Sequence, residues 1–135
     1  MDTEDSGIQV HRTFFPGGEV MSEWVEKDSL LHGWRRHWFK NGRLFSEAEY
    51  RDGQSHGVIR EWTESGQLTL QAIYKAGKLD GRYQSWWDDG EKKEEGFYVQ
   101  GRRQRGYRWY RPNGELWRES TVEGSDWTPP DFTDT

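Results

Sequence analysis

The chain has 135 residues, enough for one domain of ordinary size and not for two. Only 31% of it is hydrophobic while 16% is aromatic, with nine Trp, sixteen Gly, no Cys and a net charge of −5. This excludes a thick aliphatic core and a disulfide framework, and leaves large flat rings, worth on the order of 150–250 Å² each, as the main means of burying surface.

The N-terminal stretch "MDTEDSGIQV" is acidic and has neither the basic nor the apolar region of a signal peptide. No apolar run approaches the ~18–20 residues of a membrane span, so a cytoplasmic protein is expected. Residues 1–12 read as an acidic extension, residues 13–124 as a repeat domain and residues 125–135 as an acidic tail. Within the repeat domain Gly18, Gly42, Gly66, Gly90 and Gly114 are each 24 residues apart. Gly53, Gly77 and Gly101 keep the same step, as do Tyr50, Tyr74 and Tyr98. Phe14, Trp38, Trp62, Trp86 and Tyr110 form an aromatic column. A fixed period of this length implies stacked supersecondary units.

Each unit reads as a β-hairpin. An aromatic-rich run over 34–39 meets Asn41-Gly42, and a second run over 43–50 meets Asp52-Gly53. A two-residue type I′ turn at Asn41-Gly42 predicts Arg36 opposite Glu47 and Trp38 opposite Phe45. The same register places Arg60 opposite Gln71, Gln84 opposite Glu95 and Arg108 opposite Glu119, all complementary pairs. The column Ala48, Ala72, Gly96 and Ser120 is uniformly small, so a ring from a neighbouring hairpin is expected across it. The fold predicted is all-β, about five 24-residue hairpins in an elongated antiparallel ribbon of about ten short strands.

In "WFKNGRLFSEAEYRDGQSHG", residues 38–57, the string aromatic-x-x-x-Gly-x-Leu-x-x-Glu-x-x-Tyr-x-x-Gly-x-x-x-Gly is complete. This resembles the MORN-repeat variant, and the resemblance extends over about residues 13–124. Copies depart at Ser29 in a Gly column, Lys92 in the Leu column, Val122 in the Tyr column, and Arg105 where Gly106 follows one residue late. The resemblance implies a binding module without catalysis. Bacterial chains built this way include the YwqK-type antitoxins, immunity partners of toxins. Other proteins of this kind are scaffolds or membrane-surface adaptors.

No catalytic or cofactor-binding constellation stands out. His32 and His56 share a column with Asp80 and Arg105, which marks a polar turn position rather than a metal ligand. His37 shares its column with Glu61, Ser85 and Trp109. Asp88-Asp89 precede a turn glycine and suit turn chemistry. The periodic aromatic column reads as an internal ladder. Trp34, Phe45, Trp87, Trp109, Trp117 and Trp127 fall outside the period and read as contact residues.

Charge divides the chain: residues 1–31 carry −5, residues 32–118 carry +5 and residues 119–135 carry −5. The run "GRRQRGYRWYR" interleaves arginine with aromatics as nucleic-acid binders do, but the chain's pI near 5.4 disfavours a polyanion. The acidic ends suit a basic protein instead. The expected activity is that of a cytoplasmic immunity protein that occludes a cognate toxin. Trp87, Trp109, Trp117 and Trp127 would be anchors, with Arg108 and Arg111 as polar contacts. The alternatives are a scaffold or membrane-lipid adaptor, and more remotely a glycan-binding module. No metal, cofactor or nucleic acid is expected.

Overall fold

A computed structural model describes residues 7–123 of the chain. Among the described residues there is no helix and there are eleven strands. These are β1 (Ile8–Phe14), β2 (Val20–Lys27), β3 (Leu30–Trp38), β4 (Leu44–Arg51), β5 (Gln54–Trp62), β6 (Leu68–Lys75), β7 (Lys78–Trp86), β8 (Lys92–Val99), β9 (Arg102–Arg103), β10 (Arg108–Tyr110) and β11 (Leu116–Glu119). They pair antiparallel in chain order from β1 to β8, then β10 and β11, with β9 also on β8. The predicted ribbon of hairpins is therefore what the chain forms. The sheet begins earlier than residue 13, because β1 starts at Ile8 and takes in residues 8–12.

Two kinds of turn alternate along the ribbon. The type I′ turn predicted at Asn41-Gly42 lies instead at the opposite hairpin ends, where Asp52 and Gly53 have φ of 50° and 85°. Asp28-Ser29, Ala76-Gly77 and Gln100-Gly101 also have positive φ at both residues. At Asn41-Gly42 only the glycine is left-handed, with φ of 88°. Gly42 N–H donates to Phe39 O at 3.0 Å and Phe39 N–H to Arg43 O at 2.8 Å, which is a three-residue loop closed by a glycine bulge. Asn41 Oδ1 accepts the Arg43 N–H at 2.9 Å, so its side chain caps the turn. The bulge shifts Trp38 from Phe45 to Leu44.

Beyond that bulge the predicted register holds. Arg36 pairs with Glu47, Arg60 with Gln71, Gln84 with Glu95 and Arg108 with Glu119. The pairing between hairpins continues the same line through Arg12–Glu23, Glu23–Arg36, Glu47–Arg60, Gln71–Gln84 and Glu95–Arg108. One row of mainly alternating charge thus crosses the ribbon. Glu47 bridges two arginines of it, at 3.2 Å from Arg36 Nε and 3.0 Å from Arg60 Nη1. The part-buried pairs, such as Glu47 with Arg36 and Arg60, contribute roughly 0.2–1 kcal/mol each and hold register.

Side chains alternate between the faces of a strand, so the row next to the charge ladder lies on the other face. It runs Arg35, Ala48, Ile59, Ala72, Tyr83, Gly96. Tyr107, adjacent to Arg108, continues it, and its backbone pairs with Ser120. Bulky and small residues alternate here, as the uniformly small column predicted. Ala72 is 1% exposed. A methyl group built on Gly96 would run into the Tyr107 ring and come 3.0 Å from its Cα. Gly96→Ala is therefore expected to destabilise the chain by about 1–3 kcal/mol, the usual cost of overpacking, as read by urea unfolding.

Candidate partner-binding surface

The faces differ in burial. Among the described residues Ser22, Ala72, Ser85, Tyr107, Trp109 and Ser120 are the buried ones, and all lie on the face opposite the charge ladder. We call it the tyrosine face, since Tyr50, Tyr74 and Tyr98 share it. The sheet is a single layer, so these groups are covered by side chains of their own face. Tyr107 lies 4.8 Å from Trp109, centroid to centroid, and 5.6 Å from Tyr98 in an edge-on contact. Tyr83 touches Tyr98 and Tyr107 at 5.6 and 6.1 Å. The Arg103 guanidinium covers the cluster, 4.9 Å from the Trp109 ring and 5.7 Å from the Tyr107 ring.

Burial governs the chemistry of this cluster. It pushes the Tyr83 and Tyr107 hydroxyls above the ordinary tyrosine value, and Glu94 beside both raises them further. Tyr107 Oη donates to Glu94 Oε1 at 2.9 Å. His37, on the same face, is lowered by burial and by the Arg35 charge.

Beside the cluster lies an open cavity of about 290 Å³. Its walls include Glu61, Tyr83, Ser85, Trp87, Asp88 and Glu94. A smaller hollow of about 150 Å³, lined by His37, Tyr50 and Ile59 among others, shares Glu61 with it. Sequence reasoning missed Glu61, Ser85 and Glu94 as site residues. The signal was the column His37, Glu61, Ser85, Trp109, whose shared face becomes evident only once the register is known.

The residues singled out from sequence do not form one patch. Trp87 lines the cavity, with Lys93 Nζ 4.8 Å from its ring. Trp109 is 2% exposed and packs in the tyrosine cluster, so it is not available as a surface anchor. Trp117 is half-buried on β11. Arg108 is on the ladder face, with Nε donating to Glu119 at 3.3 Å. Arg111 is exposed at the last hairpin turn, where its N–H donates to Glu115 O at 2.8 Å. Trp127 lies outside the described residues. The periodic column is not an internal stack. Trp38, Trp62 and Trp86 are only half-buried, and Leu44, Leu68 and Lys92 pair with them on the intervening strands. Strand spacing sets rings two strands apart at about 10 Å, beyond stacking contact.

The ladder face keeps exposed apolar groups beside its charges. Alternation from Arg12, Glu23, Glu47 and Glu95 places Val10, Met21, Phe45, Phe97 and Val99 there, all substantially exposed. Phe97 is 57% exposed and Phe45 44%.

Residues 55–76 and 79–100 match the MORN repeat variant, so two adjacent repeats in the middle of the ribbon are of this kind. The match spans β5 to β8, the strands that frame the cavity. No curated protein matches the chain. MORN repeats are generally scaffolds that bind proteins or membranes, and the ribbon is consistent with a non-catalytic binding module.

Two outcomes follow. Trp109→Ala should lose about 3–5 kcal/mol on urea unfolding, as for a fully buried ring, and Trp62→Ala clearly less. The raised hydroxyls of Tyr83 and Tyr107 favour the neutral form in the folded chain. Their contribution is complete below about pH 10, the unfolded tyrosine value, and is lost as pH rises past it. Phenolate absorbance of these two should therefore rise together with loss of near-ultraviolet circular dichroism, not ahead of it.

Proposed function

We propose that the chain is a non-catalytic protein-binding module of the immunity or antitoxin type, acting in the cytoplasm by occluding one toxin. The observation that carries the binding reading is the ladder face, where exposed Phe45, Phe97 and Val99 flank a row of fixed, alternating charge. Apolar anchors ringed by ordered polar groups are the usual make-up of a protein interface. The adjacent MORN repeats support the same reading, because they supply a scaffold whose job is to present a surface.

Trp87, Arg108 and Arg111 keep their place as candidate contacts. Trp87 is half-buried, and both arginines are exposed. Co-expression is expected to rescue growth from one toxin without chemical change to it. Phe97→Ala, Phe45→Ala and Trp87→Ala should be melted and titrated against that toxin in parallel. A true anchor should lose about 2 kcal/mol, or ~30-fold in affinity, with its melting temperature unchanged. Binding to lipid vesicles with no toxin neutralised would replace this reading by that of a membrane-surface adaptor.

A further inference from the structure

We propose that the cavity on the tyrosine face is a receptor for a single arginine side chain presented by a partner protein. The proposal rests on the reading that the chain binds a protein, and adds what the partner must present.

The site is built by register. Glu61 pairs with Leu70, Leu70 with Ser85 and Ser85 with Glu94, so β5, β6, β7 and β8 place these four in one row on one face. The cavity they border also takes in Tyr83, Trp87 and Asp88. At about 290 Å³ it lies at the small end of ligand pockets, which run from roughly 300 to 1,000 Å³, and suits one side chain.

Its polar groups have acceptor capacity to spare. Ser85 is 6% exposed, and its Oγ has no hydrogen-bond partner among the described residues. Buried hydroxyls are ordinarily hydrogen-bonded, so this one calls for a group from outside. Glu61 makes no side-chain hydrogen bond or ion pair among the described residues. Glu94 accepts only the Tyr107 hydroxyl there, which leaves most of a carboxylate's lone pairs available. Both carboxylates add to the effect of burial in raising the Tyr83 hydroxyl, so both bring negative charge to the Tyr83 side of the cavity. Asp88 adds a third negative charge, and Lys93 is the one cation in the lining among the described residues. Lys93 lies over the Trp87 ring.

A cation with several N–H donors and a flat face meets all of this. Guanidinium hydrogen-bonds in a fork and stacks on aromatic rings, while ammonium offers a point charge. The same face already shows the arrangement in miniature, with the Arg103 guanidinium over Tyr107 and Trp109. A metal ion fits less well: among the described residues no three His, Cys, Asp or Glu are grouped to hold one.

The test uses the full chain and three blocked amino acids: acetyl-argininamide, acetyl-lysinamide and acetyl-citrullinamide, the last a neutral isostere of arginine. Binding is read from the Trp87 indole and Ser85 amide resonances. A lone side chain should bind in the millimolar range. Acetyl-argininamide is expected to bind saturably, acetyl-lysinamide more weakly, since its ammonium is a point charge without the planar fork, and acetyl-citrullinamide at least ~10-fold more weakly, since it has the shape of arginine without the charge for a charge-assisted contact. Glu94→Gln keeps an acceptor for Tyr107 and should cost ~10-fold in arginine affinity, with Glu61→Gln as an independent check. Ser85→Ala should weaken arginine binding while leaving the remaining spectrum in place. Equal binding of arginine and citrulline, or unchanged binding in the Glu61→Gln/Glu94→Gln double variant, would overturn the proposal. So would the absence of any shift at these two residues. Arginine binding without toxin neutralisation would leave this site standing and remove the immunity reading, whereas neutralisation without arginine binding would do the reverse.

Discussion

A sheet one layer thick has no second layer to bury its side chains, and the rest of this structure follows from that constraint. Whatever is removed from water must be covered by neighbours on the same face. The transverse row through Ala48, Ile59, Ala72, Tyr83, Gly96 and Tyr107 meets the constraint by alternating small and large. A large residue can lean over a small one on the next strand only if the strands stay in register. A slip of one residue would turn each row to the opposite face. Packing and register are therefore one requirement, and the charge ladder on the other face reinforces it from behind. The 24-residue period carries this requirement through the sequence, because each hairpin must repeat both rows to cover the hairpin before it.

The turns show how that period is kept. Four tight turns have both central residues left-handed, so they tolerate only a short list of residues. Asp28, Ser29, Asp52, Ala76 and Gln100 are the non-glycine residues at these positions, each with a positive φ. The wider loops at the opposite ends demand only one left-handed residue, the glycine. The sequence places a small polar residue before glycine at several turns of both kinds, as Asn41-Gly42 and Asp52-Gly53 illustrate. That is why the tight turn was expected at the wrong end. What separates the two is a side-chain cap such as that of Asn41 on Arg43.

The hairpin unit, the antiparallel order and four of the cross-strand pairs were legible because they follow from period and charge alone. The distinction between buried and exposed aromatics was not. Periodicity says that a position recurs; it does not say which face it is on. Trp62 recurs every 24 residues and is half-buried, whereas Trp109 breaks its column and is almost wholly covered. Alternation along the strand, counted through the bulges, decides the face, and the bulges are visible only in the backbone. The candidate site was hidden for the same reason. Glu61, Ser85 and Glu94 are ordinary residues in sequence, and their meaning comes from sharing one row on the buried face.

The ends of the ribbon explain why that row opens in the middle. A terminal hairpin has a neighbour on one side only, so it must cover itself more heavily than an internal one. At one end His11 stacks on Trp24 with ring centroids 5.3 Å apart and planes 14° from parallel. At the other, Tyr107 and Trp109 pack under Arg103. Trp109 occupies, in the last copy, the position held by Glu61 and Ser85 in earlier ones. There the row is filled by an indole. One repeat earlier it is filled by a serine, with a glutamate on each side of the gap, and the space left between them is the cavity. At this one structural position the repeat that closes the ribbon carries a ring, and the repeat that offers a polar hollow carries a serine. A binding site can therefore arise in such an array without altering the hairpin, by substituting a small polar residue where the terminal copy needs a ring.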